Sequence, residues 1–196
     1  MAGHHCVAGQ GRSAGRGVPA EVVQEACDHI STPDKWVQPA NFNEPDQTVI
    51  SGEASACEKV IEWITNSGKG TRFRALELNV SAPFHSMLMK PAEEKLAEAF
   101  VSFNFKTNTI PYVANIDAQK YESGTPAEII KQNLLKQVCG SVEWCKSIQK
   151  LPSSSLCIEV GPGKILAGLL RKINRDIKVI SLDNENGFQE LEEALA

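Results

Sequence analysis

From Pro19 onward the chain alternates segments of helical periodicity with short apolar runs, which confines it to folds where helices pack on a sheet. PAEVVQEACDHI places Val22, Val23, Ala26 and Ile30 on one helical face, with Pro19 near the first turn. Two strand candidates follow, WVQPANF and QTVISG, separated by an Asn-Glu-Pro-Asp turn. EASACEKVIEWITNSG is helical through Ala56, Val60, Ile61 and Ile64, and Gly68 is placed to cap its C-terminus. RFRALELNV alternates through Leu76, Leu78 and Val80 at strand spacing. The order is α-β-β-α-β, and one strand in front would complete a βαββαβ split sandwich. The residues standing there, MAGHHCVAGQGRSAGRGV, are rich in Gly, Arg and His and lack periodicity, which predicts a flexible leader over 1–18.

The second half has a different rhythm. KPAEEKLAEAF is an amphipathic helix and TIPYVANID a strand candidate. TPAEIIKQNLLKQV predicts a helix entered through a Thr125/Glu128 capping box, with Pro126 at the first helical position. SVEWCKSIQKL is a short helix, SSLCIEVG a strand, GPGKILAGLLRKI a helix opened by a Gly-rich turn, DIKVISLD a strand, and GFQELEEAL a closing helix. Helices alternating with apolar strands predict a parallel sheet with crossover helices.

Composition excludes several classes. Hydrophobic residues make up 42% and charged residues 22%, which is ordinary for a globular chain and excludes disorder as its dominant state. The formal net charge of −4 lacks the basic footprint of a nucleic-acid binder. No stretch reaches the roughly 18–20 apolar residues of a membrane span, and the start has no apolar signal segment. Six cysteines, at positions 6, 27, 57, 139, 145 and 157, include no CxxC pair. Reduced core thiols, no metal site and a cytoplasmic location are therefore expected.

Four histidines are the candidates for proton transfer near neutral pH. His4 and His5 fall in the leader and His29 at a helix end. His85, in NVSAPFHSMLMKPA, lies between a strand end and a helix, where catalytic groups tend to be presented. Gly161-Pro162-Gly163-Lys164 precedes a helix but lacks the GxxxxGK[ST] spacing of a phosphate loop, and Pro162 removes an amide donor.

Five blocks, VQPANFN, NVSAPFHSMLMKPA, VANIDA, LLKQVCGSVEW and IEVGPGKILAGL, together resemble the malonyl-CoA:acyl-carrier-protein transacylases of fatty acid synthesis, in order and at similar spacing. The resemblance implies an α/β fold: a ferredoxin-like small subdomain near 19–80, then, over 81–196, the C-terminal portion of an α/β-hydrolase-like acyltransferase large subdomain. It implies transfer of malonyl from malonyl-CoA to acyl carrier protein through an acyl-serine, with no metal or cofactor. His85 falls on the family's catalytic histidine, which deprotonates the serine, and Gln137 on the residue whose main chain orients that imidazole. Phe84 resembles the malonyl-selecting form of this segment, and Asn41 and Asn43 resemble residues bordering the cleft.

The family's serine lies in a GHSxG elbow, its malonate-binding arginine follows, and an oxyanion-hole glutamine sits in an earlier GQG segment. None is matched in place, so the chain is expected to be a truncated form, inactive alone. Gly9-Gln10-Gly11 and Gly11-Arg12-Ser13-Ala14-Gly15 mimic the GQG and elbow patterns, but Ser13 has neither the buried strand before it nor the helix after it that an elbow needs. Arg12, Arg16, Arg72, Arg74, Arg171 and Arg175 do not match the family's arginine. Two other readings stay open: a remnant that binds acidic acyl carrier protein through Lys164, Arg171, Lys172 or Arg175, and a serine hydrolase using Ser13 with His85.

Overall fold

Residues 3–8, 17–69, 73–78 and 80–196 are described by a computed structural model of the chain. They form two compact units, residues 1–144 and 145–196, treated separately below.

In the first unit, helices α1 (Ala20–Ile30) and α2 (Ala54–Ser67) bury Val23, Ala26 and Cys27, and Ala56, Cys57, Val60 and Ile64. These side chains form one core with Val18, Val37 and Ile50, and Val22, Ile30 and Ile61 pack around it. Periodicity thus marked the buried faces correctly, and Gly68 ends α2 at φ 67°, a conformation that favours glycine. The core lies against a four-stranded sheet of β1 (Gly3–Ala8), β2 (Val37–Glu44), β3 (Gln47–Glu53) and β4 (Ala75–Leu78), in the order β2-β3-β1-β4. Every adjacent pair is antiparallel.

β1 corrects the reading of residues 1–18 as a leader without a strand. Gly3 to Ala8 pair with Glu53 to Thr48 on one side, and His5 to Ala8 with Leu78 to Ala75 on the other. The segment lacks strand alternation, but β3 and β4 offer it partners on both edges, and such pairing outweighs weak local preference. β2 is an edge strand with register shifts at Pro39/Asn41 and Phe42/Glu44. An edge is where a proline without an N–H is tolerated.

Beyond β4, a 3-10 turn (Met87–Met89) leads into α3 (Lys90–Phe100). The strand expected in TIPYVANID is reduced to a small hairpin of β5 (Tyr112–Val113) and β6 (Lys120–Tyr121). Helix α4 (Ala127–Cys139) starts without the expected capping box. Pro126 takes the cap position, and the Thr125 hydroxyl instead donates to the Glu122 carbonyl at 2.6 Å. Helix α5 (Trp144–Gln149) follows.

In the second unit, β7 (Leu156–Glu159), α6 (Ile165–Ile173) and β8 (Lys178–Ser181) form a β-α-β unit with parallel strands, in register Leu156 with Lys178 through Glu159 with Ser181. Helix α7 (Glu185–Leu195) is capped by the Asn184 side chain. The GPGK turn is not an open anion cradle. Glu159 reaches across it and accepts from the Leu166 and Ala167 N–H groups at 2.8 and 3.1 Å. The α6 N-terminus is thereby occupied by the chain's own carboxylate.

Candidate active site

The C-terminus of α4 sets the geometry around His85. The last carbonyls of a helix have no partner within it and need one from outside. Here the Gly140 N–H returns to Lys136 O, and the imidazole Nδ1 of His85 lies 2.9 Å from Gln137 O and 3.2 Å from Gly140 O. A carbonyl oxygen can only accept, so Nδ1 carries a proton, and in the neutral ring the lone pair is therefore on Nε2. Two main-chain carbonyls thus do for this ring what a carboxylate does in a Ser-His-Asp triad: they select the tautomer and fix the orientation.

Gly140 is required at this corner, since a Cβ there would meet the Ile116 side chain and the Lys136 carbonyl. His85 itself has φ 58°, unusual for a residue other than glycine though histidine is among those that tolerate it. Its loop is held by the buried Ser86, whose hydroxyl donates to Pro83 O at 2.7 Å and whose carbonyl accepts from Met89 N–H at 2.9 Å.

The 140–142 segment then runs along the outer edge of β2. Val142 N–H donates to Ala40 O at 2.8 Å, Phe42 N–H to Val142 O at 2.9 Å, and the Ser141 hydroxyl to Pro39 O at 2.6 Å. Asn41 forms the bridge to Val142. Asn43 donates to the Gln47 side chain at 3.3 Å, across the β2–β3 hairpin. Phe84, next to His85, is 43% exposed.

The structure therefore brings His85 together with Gln137 and keeps Asn41 on the strand that borders them. Ser13, Arg12, Arg16 and Arg72 lie outside the described residues. His29 packs against Trp63 at the end of α1, with ring centroids 5.8 Å apart. The nearby thiol of Cys139 is no nucleophile at neutral pH: burial and the Glu93 carboxylate push it up to about 12. Burial likewise raises Cys27 and Cys157. Among the described residues no three His, Cys, Asp or Glu side chains gather as a metal site, and no helix is long and apolar enough to cross a membrane.

Sequence reasoning passed over Gln38. Its side chain touches both the His85 loop and the end of α4, and no local pattern advertises contacts across 47 and 101 residues.

A histidine on a loop, with its Nδ1 held by main-chain carbonyls, presents Nε2 as a candidate proton acceptor. Residues 4–182 match the model of the acyl transferase domain family, and the chain belongs to that family. It is 37% identical to the malonyl CoA-acyl carrier protein transacylase of Staphylococcus aureus (strain COL), over 89% of this chain and 56% of the relative. It is similar to the crystal structure of an acyl-carrier-protein S-malonyltransferase from Bartonella henselae, with TM-score 0.83, 32% identity and coverage of 98% of this chain and 58% of that one. A type II polyketide acyl-carrier protein in complex with its malonyl-transacylase matches with TM-score 0.84, 30% identity and coverage of 98% and 58%. The chain thus spans about half the length of the curated relatives it matches.

Proposed function

We propose that this chain carries the base half of a malonyl-CoA:acyl-carrier-protein S-malonyltransferase site, in the cytoplasm. The observation that carries the reading is the pair of carbonyls, Gln137 O and Gly140 O, on His85 Nδ1. In the proposed route Nε2 takes the proton of a serine hydroxyl as the serine oxygen attacks the malonyl thioester carbonyl. The tetrahedral intermediate collapses, its C–S bond breaks, and the imidazolium returns the proton to the departing coenzyme A thiolate. The phosphopantetheine thiol of acyl carrier protein then takes the malonyl group by the reverse sequence. Malonyl-CoA is a substrate, and the route uses no metal or cofactor.

Phe84, Asn41 and Asn43 are assigned to the border of the acyl cleft. The βαββαβ order of β1 to β4 supports a ferredoxin-like small subdomain, and the parallel β7–β8 pair supports a portion of a hydrolase-like large subdomain. No residue of the recognised blocks stands for the elbow serine or the malonate-binding arginine, so these residues alone are assigned no turnover.

A second reading, binding of acidic acyl carrier protein without catalysis, is favoured by one feature. Arg171, Arg175 and Lys178 line a shared groove of the second unit, with Glu190 the acidic residue there.

The deciding experiment replaces the matching part of the Staphylococcus aureus relative with this chain and reads intact mass after addition of malonyl-CoA. A malonyl ester on serine, released by hydroxylamine and formed about 10²–10⁴-fold more slowly in His85→Ala, is expected. A folded chimera that takes no malonyl, or one indifferent to His85→Ala, overturns the catalytic reading. The chain alone is expected to keep its unmodified mass.

A further inference from the structure

Gln38, on β2, uses every hydrogen-bonding capacity of its amide at the site. Its Nε2 donates to His85 O at 3.1 Å and to Cys139 O at 2.9 Å. Its Oε1 accepts from Trp36 Nε1–H at 2.6 Å and from Met87 N–H at 3.2 Å. The orientation of the amide is forced. A flip would set its oxygen against two carbonyl oxygens and its NH₂ against two N–H groups.

These four partners are not scattered. His85 O and Met87 N–H flank Ser86, so the amide grips the loop on both sides of that residue. Cys139 O lies between the two carbonyls that receive the imidazole, those of Gln137 and Gly140. One side chain therefore ties the main chain that carries the ring to the main chain that accepts its proton. It also satisfies an end carbonyl of α4 that the helix leaves without a partner. Trp36 fixes the amide from the far side, so it is itself pre-set.

We propose that Gln38 is a positioning residue for His85: by joining His85 O to Cys139 O it holds the imidazole on Gln137 O and Gly140 O, and so maintains the Nδ1–H tautomer. Gln38 touches the backbone on either side of the ring and acts through it. The proposal deepens the reading of His85 as the base, and rests on it for its catalytic meaning.

The test needs no turnover. In ¹H–¹⁵N spectra of the folded chain, assigned with His85→Gln, His85 of the parent shows a protonated Nδ1 and an unprotonated Nε2. Gln38→Met keeps the size of the side chain and removes all four hydrogen bonds. Gln38→Glu keeps the acceptor for Trp36 and Met87 but sets a carboxylate against the two carbonyls. Each is expected to lose the single tautomer and give a mixture. Val60→Ala, a core change of the same unit, is expected to keep the parent spectrum despite lowered stability, which separates positioning from general loosening. If Gln38→Met does not fold, Gln38→Glu decides. A parent-like His85 spectrum in the folded Gln38 variants overturns the proposal, as does a mixture in the parent. A His85→Ala chimera that still transfers malonyl at full rate would instead overturn the base reading and leave the clamp standing.

Discussion

His85 holds a left-handed backbone, which costs a residue with a Cβ about 1–2 kcal/mol, and the bonds around it offset that cost. The ring meets main-chain oxygen at both acceptors, so the side chain of Gln137 is dispensable to the contact while the backbone path through Gly140 is not. Gln137→Ala is expected to leave the Nδ1–H signature intact and to change stability by under about 1 kcal/mol. Gly140→Ala is expected to destabilise by about 1–3 kcal/mol, because the new methyl meets Ile116 and the Lys136 carbonyl. Urea denaturation with the ¹⁵N spectrum of each variant checks both, and an unchanged Gly140→Ala or a Gln137→Ala that loses the tautomer would refute the assignment. His85 was legible from its place between a strand end and a helix, and Gln137 only through the LLKQVCGSVEW block that resembles a known family. The role of Gln38 was not legible although it stands in the VQPANFN block, since a glutamine in a strand reads as surface until the fold brings a distant loop and helix end to it.

At the scale of elements, the α6 entry shows how one carboxylate shapes the pH response. Burial pushes the Glu159 carboxyl up, but hydrogen bonds from Leu166 N–H, the Ser181 hydroxyl, and the Ala167 and Ile165 N–H groups outweigh it, leaving the carboxyl below its ordinary 4.5. The unfolded chain therefore binds this proton more readily than the folded one. The stabilisation from Glu159 is full above about pH 4.5 and is lost as pH falls through the depressed value. Glu159→Gln is expected to lower stability by about 1 kcal/mol at pH 7, with the gap to the parent closing below pH 4.5. Urea midpoints of both proteins at pH 7 and pH 3.5 measure it, and a gap that does not change with pH refutes it. The sequence displayed the elements whose faces it paints, as α1 and α2 do with their buried stripes. It concealed β1, whose strand state comes from pairing to β3 and β4, and it suggested a capping box that Thr125 does not make.

At the scale of the whole molecule, several large apolar side chains among the described residues are exposed to solvent. Val160 and Ile165 flank the turn between β7 and α6 at 81% and 75% exposure, and Ile158 on β7 is 44% exposed. In the other unit, Leu76 and Leu78 on β4 are 45% and 36% exposed. Among the described residues β7 and β8 pair only with each other, so each has one strand edge without a strand partner. A two-stranded parallel sheet is weak by itself, and apolar edges of this kind invite further pairing. Purified as these 196 residues, the protein is expected to self-associate, with a mean mass in sedimentation or light scattering that rises with concentration. Ile158→Lys together with Val160→Lys is expected to reduce that association while leaving the far-UV spectrum unchanged, because both side chains already face water. A parent that stays monomeric at all concentrations and melts in one cooperative step would show that these faces are not sticky. Association that persists in the double variant would place the contact elsewhere, with the Leu76 and Leu78 face of β4 the next to change.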